Sequence, residues 1–412
     1  MPTDSPAPPE PETTTHRRGS LPPGVAFAGT GLAFASVTFA AGAPTPLLVL
    51  FEHQWGFHAG ILTVAFAMYA FGLLLALLVV GSLSDYIGRR PVLIGALSIQ
   101  LLAMVMFFFA SNIEWVIAAR AVQGLATGAV FSTFTAALVE LPPRHRELGP
   151  VIGSVAPAGG IGLGALLTGA AIQFTGSPAK IVFACLAFVT SLGIGVAILS
   201  AETVSRRPGA RRALRPNLSI PGPAVREFVA AVPLQIGAWM FVGLFLGLIP
   251  TIIRGLFHTN GGLVNGATVF TEAGMAAIVG LFVGRISPRI SNQSGGAAII
   301  VGSAVVIVGV AARVLPLLVF GGLIGGIGVG ILVLVDVANA QSARGAGPEG
   351  RTVRGRLHRG LPRVWRPCDR RRPVDTASGA VLERDRLLRR DRRRRNHWTG
   401  RSVSRSSPSH AG

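Results

Sequence analysis

Charge is scarce in this chain. Asp, Glu, Lys and Arg make up 14% of the residues, while half are hydrophobic. A soluble domain carries roughly a quarter charged residues, so a water-facing globular fold is excluded. Lysine is reduced to Lys180, and cysteine to Cys185 and Cys368. Those two cysteines lie far apart, one in an apolar stretch and one in a basic tail, which provides neither a disulfide framework nor a metal site. A Gly-rich phosphate loop of the Walker type is missing, which argues against an ATP-driven pump. No Ser/His/Asp arrangement stands out either, so neither an enzyme nor a cofactor is expected.

What the chain has in abundance is apolar length. Stretches long enough to cross a bilayer, about 20 residues each, recur near 25–50, 59–80, 92–110, 114–140, 150–173, 180–200, 228–253, 263–284, 296–312 and 315–338. In lipid each must satisfy its backbone internally, so these are helices. The fold class expected is an all-α, polytopic membrane protein with about ten spans. Residues 1–24 are rich in Pro, Thr and Glu and read as a disordered tail, not a secretory signal. Alternate loops carry fourteen arginines on the N-terminal side, against Lys180, Arg254 and Arg313 on the other. Basic residues stay inside, so a multi-pass protein of the cell membrane with a cytoplasmic N-terminus is expected.

Between the second and third stretches lies Gly81-Ser82-Leu83-Ser84-Asp85-Tyr86-Ile87-Gly88-Arg89-Arg90-Pro91. Gly81 and Gly88 allow sharp turning. Asp85 is a carboxylate able to cap a helix or pair with a guanidinium. Arg89 and Arg90 hold the loop on the cytoplasmic face. This segment resembles the signature loop of the major facilitator superfamily. The resemblance implies two six-helix halves, a small-molecule substrate, and a loaded site that alternates between the membrane faces. A worn copy, Gly284-Arg285-Ile286-Ser287-Pro288-Arg289-Ile290, stands in the second half with Pro288 in place of the acid. The expected organisation is therefore an N-terminal half at 25–200, a cytoplasmic linker at 201–227 and an incomplete C-terminal half at 228–343.

Arg120 lies inside the fourth stretch and is followed by Gln123 and Gly124, which resembles the superfamily's fourth-helix motif. A buried cation needs a partner and marks a translocation pathway, and the resemblance implies a coupling role, with H+ as the ion. Glu272 is the acid of the second half that lies inside a span, a candidate proton carrier or cation partner. Gly153, Pro157, Gly159 and Gly160 form a small-residue stripe similar to the family's antiporter motif, with Ala156 where a Gly is expected. Close helix packing alone also explains such a stripe. Tyr69, Gln235 and Trp239 are candidate cavity-lining residues, although Trp239 also suits an interfacial anchor. The resemblance implies a monomer in a lipid bilayer that exports a drug or metabolite.

Residues 344–412 break the pattern. This tail holds 20 of the 37 arginines and carries a net charge of +14, against +6 for the rest. Read literally it is a solvated, polyanion-binding tail, although it lacks the modules that contact nucleic-acid bases, and no nucleic-acid partner is expected. A second reading is a frameshift between about Arg344 and Arg354. Synonymous codons can be chosen for Arg354 through Arg372 that, read one base later, spell an apolar helix, and the same holds for Val381 through Thr399. On this reading two further spans are lost and the chain is a non-functional remnant. Sequencing the gene from codon 340 to its stop tests this. An inserted or deleted base, with two apolar spans in the neighbouring frame, is the expected result; a confirmed frame without them makes the tail genuine.

Overall fold

Length and apolar composition commit most of the chain to helix, and a computed structural model describes residues 23–80, 83–139, 148–200, 202, 225–259, 261–282 and 288–345. The chain divides into two units, Met1–Gly347 and Pro348–Gly412. The second unit lies outside the described residues, as do the N-terminal tail through residue 22, most of the 201–227 linker and the 283–287 part of the worn loop copy.

Every regular element among the described residues is helical, and ten of the helical segments are long and apolar enough to cross a membrane. The first span joins two helices, Pro23–Gly42 and Pro44–Trp55. The second is Ala59–Val80, the third Arg89–Phe108 and the fourth Ile113–Val139. The fifth is Leu148–Phe174 and the sixth Pro178–Leu199. The seventh runs through Val225–Gly243, a π-helical turn at Leu244–Leu248, and Ile249–Phe257. The eighth is Gly262–Gly280, the ninth Pro288–Ala311 and the tenth Leu315–Gly345.

Packing partners define two groups. In the first half the fourth span packs on the second and third, the sixth on the third and first, and the fifth on the first. In the second half the tenth span packs on the eighth and ninth. The fifth and eighth spans form the broad seam between the groups. Aromatic stacking reinforces the first half, with the Phe107 and Phe183 rings 4.6 Å apart between the third and sixth spans.

Lipid gives helices no hydrophobic reason to associate, so close approach through small residues does that work. The glycines of the fifth span divide between two faces. A Cβ on Gly160 would overlap the Thr38 hydroxyl, and one on Gly164 the Phe39 carbonyl, both on the first span. A Cβ on Gly169 would meet the Gly262 carbonyl of the eighth span. A Cβ on Gly159, by contrast, would lie 3.5 Å from that of Ala277, an ordinary contact. We therefore expect G160A to destabilise the protein by about 1–3 kcal/mol through overpacking and G159A to leave it nearly unchanged. Thermal unfolding of the two variants in detergent checks this.

Candidate functional site

The site is built from a break in the first span. Pro44 has no N–H to offer the carbonyl of Ala40 one turn earlier, and the helix stops at Gly42. The fourth span uses the freed backbone. Gln123 donates from Nε2 to the Ala40 carbonyl at 2.6 Å. Arg120 donates from Nη1 to the Ala41 carbonyl at 3.3 Å and to Gln123 Oε1 at 3.0 Å. Its guanidinium carbon stands 4.5 Å from the centre of the Tyr69 ring, within cation–π range.

Arg120 is 1% exposed, so its charge does not snorkel to the surface. Among the described residues no carboxylate pairs with it, and its Nε has no hydrogen-bond partner. Gly124 makes the arrangement possible, because a Cβ there would collide with the Tyr69 carbonyl of the second span. Thr127, one turn further, donates to the Gln123 carbonyl at 2.8 Å. Arg120, Gln123, Gly124 and Tyr69 thus form one polar knot among the first, second and fourth spans.

Glu272 of the eighth span is likewise 1% exposed, and its Oε1 has no hydrogen-bond partner. The tenth span presses on it from behind, since a Cβ on Gly326 would strike the Glu272 carbonyl. Among the described residues no contact joins Glu272 to the Arg120 knot, and the two buried ionisable groups lie in separate halves.

Gln235 and Trp239 line a crevice of about 690 Å³ together with Phe66, Met240 and Gly243. Tyr69 is engaged at Arg120 and does not line it, so the second span contributes Phe66 there. Trp239 is 66% exposed. A π-helical turn, a feature that often marks functional sites, follows directly at Leu244–Leu248. Gly153, Pro157, Gly159 and Gly160 all lie within the fifth-span helix, with Pro157 in its interior.

Gly81 lies outside the described residues, and Asp85 falls in a short helix, Ser84–Ile87. Gly88 is buried with φ 100° and ψ 153°, a region that is essentially glycine-only. Its missing side chain leaves room for the Glu202 carboxylate. Glu202 accepts from the N–H of Arg89 at 2.9 Å and from that of Arg90 at 3.2 Å. An acid is thereby placed on the positive end of the third-span helix. Arg90 also donates from Nη2 to the Ile198 carbonyl at the end of the sixth span. Glu202 carried no signal in the sequence beyond being an acid just after a span.

The model of the Major Facilitator Superfamily matches residues 30–353. Over 106 residues the chain is 35% identical to a major facilitator superfamily multidrug transporter, mfsB, of Aspergillus fumigatus; this covers 24% of the chain and 17% of that protein. Over 105 residues it is 33% identical to an uncharacterized transporter of Rickettsia felis, covering 25% of each. The matches thus span a quarter or less of these curated relatives. The solved structure of the human organic anion transporter MFSD10 (TETRAN) aligns with a TM-score of 0.56 at 18% identity, over 78% of this chain and 86% of that one.

The variant G88A is expected to destabilise the loop by about 1–3 kcal/mol through backbone strain, with added steric conflict at Glu202. Faster hydrogen exchange at the start of the third span is the readout, and E202A is expected to speed exchange in the same segment.

Proposed function

The chain belongs to the major facilitator superfamily of membrane transporters, and from that premise we propose that it is a secondary active exporter of small amphipathic compounds, coupled to protons and working by alternating access. The observation that carries this reading is the pair of buried, incompletely partnered ionisable groups, Arg120 in one half and Glu272 in the other. Ionisable groups inside a membrane are costly and mark ion or substrate paths. Glu272 is the proton carrier on this reading. Arg120 sets the charge of the central region from the first half. Gln235 and Trp239, with Phe66, offer the apolar wall and polar handle of a drug-like substrate site. The multidrug relative in Aspergillus fumigatus supports this substrate class. The protein works as a monomer in a cell membrane with its N-terminus and signature loop on the cytoplasmic side.

A second reading concerns whether this chain is the working form. The match to the family ends at residue 353, inside the interval where the arginine-rich text begins. The crevice beside the seventh span is apolar and open, with Trp239 and Met240 among the most exposed large side chains. We propose that residues after about 344 are out of frame, and that two further apolar helices belong in the working protein.

Both readings are tested in membrane vesicles with an imposed pH gradient and a panel of fluorescent amphipathic compounds. The frame-restored protein is expected to drive export, and R120Q and E272Q made in it are expected to fall to background. The present chain is expected to be inactive. Equal flux from both forms would remove the out-of-frame reading. No proton-driven flux from either would overturn the proton-coupled export reading.

A further inference from the structure

At the end of the bundle away from the signature loop, four spans border a partly open chamber of about 210 Å³. Its wall includes Val49 and His53 of the first span, Ile172 of the fifth, Arg254 of the seventh, and Gly262 and Asn265 of the eighth. Each of these residues lies in the described part of the chain, so the chamber does not depend on the tail.

The polar groups of this wall stand among the apolar Pro46, Val49, Leu50 and Ile172. Arg254 is half-buried and donates from Nη1 to the Val49 carbonyl at 2.9 Å, across the two halves. Among the described residues no carboxylate pairs with it. A guanidinium has five N–H donors, so most of its fork remains unused by recorded bonds. The eighth-span helix begins at Gly262 in the same wall and directs its positive end there. Gly262 can stand so close because a Cβ would strike Ile172. His53 is exposed at the edge. Against these donors stands one acceptor. Asn265 is 4% exposed, and its Oδ1 has no hydrogen-bond partner.

We propose that this chamber is a binding site for small carboxylates bearing a hydroxyl or amino group beside the acid, held by Arg254 and Asn265. The carboxylate takes the planar guanidinium fork and faces the helix end. The neighbouring O–H or N–H supplies the donor that Asn265 Oδ1 needs. One guanidinium matches one carboxylate, whereas a phosphate dianion would leave charge uncompensated in a partly buried space. Water in the chamber would satisfy the same groups without choosing among solutes, so selectivity is the observable that decides. The inference does not rest on proton coupling or on the transport reading.

The test is calorimetric titration of the full chain in lipid nanodiscs with lactate, propionate and the neutral lactamide. Lactate is expected to bind saturably and propionate at least about tenfold more weakly, because a site built for a hydroxyl rejects the analogue lacking it. Lactamide is expected to give no binding. R254Q is expected to abolish lactate binding, and N265A to bring lactate down to the affinity of propionate. Absence of saturable lactate binding to the unmodified chain would overturn the proposal. So would equal binding of all three solutes, or undiminished lactate binding by R254Q. The comparison of solutes on the unmodified chain keeps the outcome clear even if a variant fails to fold.

Discussion

A guanidinium held by a main-chain carbonyl and a glutamine amide inside a membrane bundle is the interaction around which the first half is arranged. Arg120 has no recorded acid to neutralise it, and it would be prohibitively costly without partners. The Ala41 carbonyl and Gln123 Oε1 supply them at the proline break of the first span, with Gln123 itself anchored on the Ala40 carbonyl. Two local rules meet here. Proline removes a donor from a helix, and lipid forbids leaving the freed acceptor empty. The fourth span fills that vacancy with Gln123, whose Oε1 accepts from Arg120, and the second span must come close enough for Tyr69 to cover the charge. Gly124 sets that distance.

The same economy of contact governs the seam between the halves. Glycines at 160 and 164 admit the first span, and Gly169 with Gly262 and Gly266 admits the eighth. One helix thus grips its own half and the opposite one through different faces. The seam leaves room at its far end for the chamber beneath Arg254 and Asn265. At the opposite end Glu202 ties the start of the third span to the end of the sixth.

Much of this was legible from residue order. Ten apolar stretches, the loop around Gly88, and Arg120 with Gln123 and Gly124 stand out because each obeys a short-range rule of length, turning or helical spacing. Tyr69 and Phe66 show where such rules end. Both lie on the second span three residues apart, and nothing local tells which turns toward Arg120 and which toward the crevice. Glu202 was invisible for a related reason, because its partners, the N–H groups of Arg89 and Arg90, lie more than a hundred residues away. Asn265 looked like any polar residue near a span end until the first, fifth and seventh spans closed around it.

The sequence by itself determined that this is an all-helical membrane protein of the major facilitator type, since bilayer thickness and backbone hydrogen bonding act on each span separately. It also offered the places where helices can touch, because glycine permits close approach, although Gly31, Gly95 and Gly237 meet nothing within 4 Å. The tertiary structure decided which helix each glycine meets, which carbonyl receives Arg120, and which buried acid and amide are left with an unfilled oxygen. Those outcomes depend on how the spans turn about their own axes. In lipid that rotation is set by the sum of many weak contacts along whole helices, not by any short stretch of residues.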